Sequence, residues 1–117
     1  MFSFLSKIFR VKQKEVEAKL LPTPQCTYGG VGEVEIETWS GGSVKLEASL
    51  KHSGLPDGAT IAVHLAGRQI LTLQIAGGYA KQYMQSEERT IPDINIGDLA
   101  EMKYNSQVLY RGQFRPD

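Results

Sequence analysis

GEVEIETW (residues 32–39) alternates without a break: Val34 and Ile36 fall on one side, Glu33, Glu35 and Glu37 on the other. A period of two that segregates apolar from charged residues is the mark of a strand with one buried and one wet face. SVKLEASL (43–50) repeats the device, setting Val44, Leu46, Ala48 and Leu50 against Lys45 and Glu47. Ser40, Gly41 and Gly42 lie between the two runs and suit a hairpin turn. This pair of runs predicts an all-β fold.

Downstream, the punctuation agrees. In GLPDG (54–58), Pro56 presets its φ, Asp57 can bond nearby backbone and Gly58 tolerates positive φ. ATIAVHLA (59–66), QILTLQIA (69–76) and YAKQYMQ (79–85) read as a three-stranded meander turned at Gly67-Arg68 and at Gly77-Gly78. A loop around Pro92 and Gly97 precedes LAEMKY (99–104), and Asn105-Ser106 turns that run into QVLYRGQF (107–114). About seven strands at a spacing of roughly 8–12 residues predict an antiparallel β-sandwich, immunoglobulin-like in outline, with a small closed barrel as the alternative. The expected core is Val34, Ile36, Leu46, Leu50, Ile61, Val63, Leu65, Leu71, Leu73, Ile75, Leu99, Val108, Tyr110 and Phe114.

Upstream, the spacing changes. Pro22 and Pro24 in LPTPQ would end a helix, so residues 22–31 read as a linker and 32–117 as the sandwich domain. On a wheel of about 100° per residue, Phe2, Phe4, Leu5, Ile8, Phe9 and Val11 share one half. Ser3, Ser6, Lys7 and Arg10 hold the other, and Val16 and Leu20 extend a narrower apolar stripe. Residues 1–21 are therefore predicted to form an amphipathic α-helix. Its apolar side must be buried somewhere: on its own domain, on another copy or another protein, or on a membrane surface. The contact residues expected for that role are Phe2, Phe4, Leu5, Ile8, Phe9, Val16 and Leu20.

Composition bounds the rest. A chain of 117 residues supports one core. Thirteen Lys and Arg balance thirteen Asp and Glu, which argues against a nucleic-acid partner held by bulk charge. The first 25 residues are the basic part, with Lys7, Arg10, Lys12, Lys14 and Lys19 against Glu15 and Glu17. A single cysteine, Cys26, permits no intramolecular disulfide and suits a reducing compartment. Lys7 and Arg10 interrupt the apolar start, so it reads neither as a signal peptide nor as the ~20-residue span a membrane crossing requires. A cytoplasmic protein is expected, with membrane association through the first residues as a variant.

No stretch carries a catalytic signature. TYGGVG (27–32) precedes a strand rather than a helix and lacks the spacing of a dinucleotide loop, so it reads as linker or strand entry. His52 and His64 have no partner ligands at metal-site spacing, and His64 alternates with Val63 and Leu65 as a sheet-surface residue would. No serine has an elbow motif or a neighbouring base, and Cys26 reads as a resting thiol. Glu87-Glu88 and the loop holding Asp93 and Asp98 lack calcium-loop spacing. The expectation is a non-enzyme with no metal and no cofactor.

Two surface features remain. Glu33, Glu35 and Glu37 project from one strand face, either simply solvated or turned to a partner. Tyr79, Lys81 and Tyr83 form a row that could stack on a sugar, or pack across to neighbouring strands. The segment from about Gly32 to Phe114, through its LPDG turn (55–58), its Gly77-Gly78 hairpin and its closing YRGQF (110–114), resembles a bacterial all-β sandwich module of unassigned activity. That resemblance implies the sandwich and no functional residue. The sequence thus points to a non-catalytic binding or scaffolding protein, its helix driving homo-oligomerisation or docking. A peripheral membrane protein and a carbohydrate-binding sandwich are the alternatives.

Overall fold

The computed structural model describes residues 12–86 and 91–117. Eight strands run in chain order: β1 (Lys12–Pro22), β2 (Val31–Trp39), β3 (Val44–Lys51), β4 (Thr60–Leu65), β5 (Arg68–Gln74), β6 (Ala80–Ser86), β7 (Leu99–Tyr104) and β8 (Gln107–Pro116). Every pairing is antiparallel, and the strands form one sheet in the order β5-β4-β7-β8-β1-β2-β3-β6. The sheet is nearly closed around one shared core. Its two edge strands, β5 and β6, are joined by a turn whose flanking residues, Ala76 and Tyr79, form an isolated bridge outside both strands.

The all-β expectation holds, and the finer architecture differs. Eight strands stand where about seven were expected, and their single, nearly closed sheet lies nearer the barrel alternative than two separate sheets. The extra strand is β1, which occupies residues expected to be helical. Val16, Ala18 and Leu20 recur at every second position, and all three are buried. A spacing of i, i+4 between Val16 and Leu20 satisfies both periods, and pairing on both sides, with β2 and β8, decides for the strand. Residues 22–31 consequently connect two strands of one domain and do not link a helix to it. The part of the expected helix that precedes Lys12 lies outside the described residues.

The meander expected through β4, β5 and β6 is broken at its second turn. Gly77-Gly78 does make a tight turn, with Ala76 and Tyr79 exchanging backbone hydrogen bonds at 2.9 and 3.2 Å. Beyond it β6 leaves β5 and pairs with β3 from Leu50–Ala80 to Val44–Ser86. Gly78, at φ +76°, passes so close to Ser53 that a Cβ there would lie 2.8 Å from the Ser53 carbonyl oxygen. That contact steers the chain onto β3.

Twelve of the fourteen expected core residues are buried. Val108 is displaced because the β7–β8 register shifts between Met102 and Lys103, and Leu99 stands on the outer face of β7. The extra residue, Leu109, turns inward beside Tyr110, and in β7 plain alternation puts Ala100 and Met102 inward and leaves Leu99 40% exposed. At one end of the core, buried Tyr110 donates to the Gly29 carbonyl at 2.5 Å, and its oxygen lies 3.0 Å from Ser53 Oγ. The Leu55 amide donates to the same Ser53 oxygen at 3.2 Å, so the buried hydroxyls form a satisfied chain. Among the described residues no helix is long and apolar enough to cross a membrane.

Candidate functional site

The outer face of β8-β1-β2-β3-β6 is built in cross-strand rows. Register sets Arg115, Glu17, Glu35, Glu47 and Tyr83 side by side, one from each strand in that order. A second row carries Lys19, Glu33, Ser49 and Lys81, and a third Glu15, Glu37, Lys45 and Gln85. Residues directly opposite across a pair stand close enough to interact, and like charges there are destabilising. Glu33 faces Lys19, Glu37 faces Lys45, and Glu17 faces Arg115. Glu35 alone among these has a carboxylate on both sides.

The electrostatics follow from that placement. Glu35 is raised from 4.5 to about 7, first by its hydrogen bond to Glu33, then by partial burial, then by the charges of Glu33, Asp117 and Glu47. Relief reaches the margins of the face. Lys81 Nζ lies 2.5 Å from Glu47, and Lys12 Nζ lies 3.1 Å from Glu15 and 3.5 Å from Glu37. Trp39 closes one end of the face. Its Nε1–H donates to Glu37 at 3.2 Å, with the Lys12 and Lys45 ammonium groups 5.5 and 5.4 Å from the ring centroid.

Beside the central row, Glu35, Glu37, Lys45, Glu47 and Tyr83 line an open hollow of about 190 Å³. Tyr83 is 54% exposed and Tyr79 44%, with Lys81 between them on the same strand face. The row Tyr79, Lys81 and Tyr83 expected from sequence thus stands on one face, at the edge of the carboxylates. Of the other expected contact residues, Val16 and Leu20 are buried in the barrel's own core and unavailable to a partner. This corrects their assignment, the reason being the strand period of β1. Phe2, Phe4, Leu5, Ile8 and Phe9 lie outside the described residues.

Carboxylate oxygens of Glu17, Glu35 and Asp117 come within 4.8 Å of one another. Three carboxylates, Glu17 and Glu35 half-buried and Asp117 exposed, fall short of the six to eight oxygens that Ca²⁺ takes. On the opposite half of the molecule, His64 faces Glu101, whose carboxylate is held by Arg111 at 2.8–2.9 Å. Burial, with Lys103 nearby, lowers the His64 pKa, and its Nδ1 is buried without a hydrogen-bond partner. His64 and Glu35 border separate hollows that share no residue, so they form no acid–base pair.

Sequence reasoning saw Glu33, Glu35 and Glu37 but missed Glu17 and Glu47 as their neighbours. Register between strands carries that information, and alternation within one strand does not. No protein-family model and no curated protein matches the chain.

Proposed function

We propose that this is a non-catalytic binding protein whose acidic sheet face takes a basic segment of a partner protein. The observation that supports the reading is the unbroken row Glu17–Glu35–Glu47, in which the central carboxylate has no cation opposite it. Directly opposed like charges cost ~0.2–1 kcal/mol per pair. A lysine or arginine laid over Glu35 replaces that repulsion with charge-assisted hydrogen bonds. Tyr83, next in the row, offers a ring face to the same cation. Docking is thereby moved from the expected helix to the barrel wall. The sugar-stacking alternative has less support, because Lys81, ion-paired with Glu47, stands between the two tyrosines.

Calorimetric titration of the full chain with an oligo-arginine peptide tests this. Binding should weaken steeply with salt and strengthen above pH ~7, where Glu35 no longer has to give up a proton. The pair Glu35→Gln and Glu47→Gln should reduce affinity at least tenfold, about 1.4 kcal/mol. No binding, or binding indifferent to both substitutions, overturns the proposal.

A further inference from the structure

We infer that an open hollow on the β5-β4-β7 wall binds a small hydroxylated carboxylate, a sugar acid. Lys103 takes its carboxylate and His64 a neighbouring oxygen. The hollow measures about 420 Å³, within the range of roughly 300–1,000 Å³ in which proteins hold small molecules. Ala62 is its floor. Register sets Ala62 between Thr72 on β5 and Lys103 on β7, and Thr60 and His64 stand two residues to either side of it on β4. Alternation with buried Ile61, Val63 and Leu65 turns this face of β4 outward. A methyl group among longer side chains leaves the depression.

Two of the three register shifts among the described residues border the hollow. In β5 the extra residue Ile70 brings Gln69 opposite His64, where unbroken pairing would have set an apolar side chain. In β8 the extra residue Leu109 falls beside Lys103, next to the turn at Asn105 and Ser106. Seven of the eight lining residues carry polar side chains. Thr60, Gln69, Thr72, Asn105 and Ser106 can each donate and accept, which matches the hydroxyls of a sugar. Two further groups set the charge. Lys103 takes part in none of the ion pairs among the described residues, and Glu101, which faces His64, is already held by Arg111. Burial, then the charge of Lys103, keeps His64 neutral at pH 7. A proton on its buried Nδ1 would be a donor with no acceptor, so the ring carries the proton on Nε2 and offers it to the ligand. One unpaired cation, one imidazole N–H and a ring of hydroxyls and amides fit an anion that bears hydroxyl groups.

The proposal is independent of the acidic face, with whose hollows this one shares no residue. It is tested by titrating the isotope-labelled full chain with D-glucuronate, D-glucose or inorganic phosphate and following amide and imidazole resonances. Glucuronate should bind saturably, shifting His64 Nε2 and the amides of Thr72, Lys103 and Ser106. Its affinity should exceed that of glucose and of phosphate at least tenfold, about 1.4 kcal/mol. Lys103→Gln should lower that affinity by a similar factor, and Thr72→Val should lower it as well, both with the urea midpoint of unfolding nearly unchanged. Glu35→Gln, on the acidic face, should leave it intact. Phosphate bound as tightly as glucuronate would overturn the inference by showing that charge alone is recognised. Glucose bound as tightly would overturn the role given to Lys103. Shifts centred on Tyr79 and Tyr83, or no saturable shift with any of the three, would remove the site altogether.

Discussion

Glu35 stands directly opposite Glu47 across β2 and β3, and on its other side it faces Glu17 across β1. The other two glutamates of its strand each face a lysine on one side, Lys19 for Glu33 and Lys45 for Glu37. The central position therefore differs from an ordinary solvated face, where opposite charges across strands are favoured. The fold accommodates this by letting Glu35 hold its proton to about pH 7 through the hydrogen bond to Glu33.

Stability should fall as pH rises between 4.5 and about 7 on account of this group. A carboxyl held above its ordinary value binds its proton more tightly folded than unfolded. Its contribution is complete below 4.5 and lost by the time pH has passed the folded value near 7. Urea denaturation across that range should show a declining midpoint in the wild type and a flatter profile in Glu35→Gln. An identical slope in the two proteins would remove Glu35 as its source.

Glu35→Lys should stabilise the barrel and abolish peptide binding together. A lysine in the middle of the row turns two repulsive cross-strand pairs into attractive ones, a gain of up to about 1 kcal/mol on an exposed surface. The same substitution puts a cation where the partner's cation is proposed to dock. Thermal unfolding and oligo-arginine titration of one variant measure both effects. A stabilised protein with intact binding would show that the row is tolerated for some other reason.

Tyr110→Phe should cost about 1–3 kcal/mol, although only one oxygen is removed. The Gly29 carbonyl loses its hydroxyl donor, and buried Ser53 Oγ, which keeps the Leu55 amide, loses its second partner. In the wild type, burial pushes the Tyr110 hydroxyl from 10.0 up to about 12, partly opposed by the Ser53 hydrogen bond. One of the five tyrosines should therefore resist ionisation in a phenolate absorbance titration. Tyr110→Phe should delete that late step.

The strand content was legible because alternation is a local signal: Val34 and Ile36, or Ile61, Val63 and Leu65, declare their face within a few residues. Three features were not, and each depends on the partner strand. The span Lys12–Pro22 reads as a helix when the apolar run before it is included, and the seam with β8 makes it a strand. Val108 was assigned inward because the bulge that sets Leu109 beside Tyr110 lies in the pairing with β7 and has no composition of its own. The acidic row was half visible, as three glutamates on one strand. Its central conflict, Glu17–Glu35–Glu47, exists only once Glu17 and Glu47 are brought alongside.

Gly112 should be the least replaceable glycine in the chain, for close approach rather than backbone freedom. It lies in β8 at the seam with β1, where the ladder is interrupted between Ala18–Phe114 and Leu21–Arg111. A Cβ there would lie 2.0 Å from the Lys19 carbonyl oxygen and 3.3 Å from the Leu20 Cα. Both are backbone atoms of the facing strand, so no side chain can move aside, and β1 and β8 would have to separate. Gly112→Ala should cost at least ~3 kcal/mol, at the upper end of the range for single substitutions. Gly67→Ala is the matched control. It carries φ +81° with nothing within 4 Å of the added carbon, so only the left-handed backbone is penalised, by ~1–2 kcal/mol. Denaturation midpoints of the two variants decide the matter. A Gly112→Ala protein no less stable than Gly67→Ala would mean that the seam can open, and that β1 is held by β2 alone.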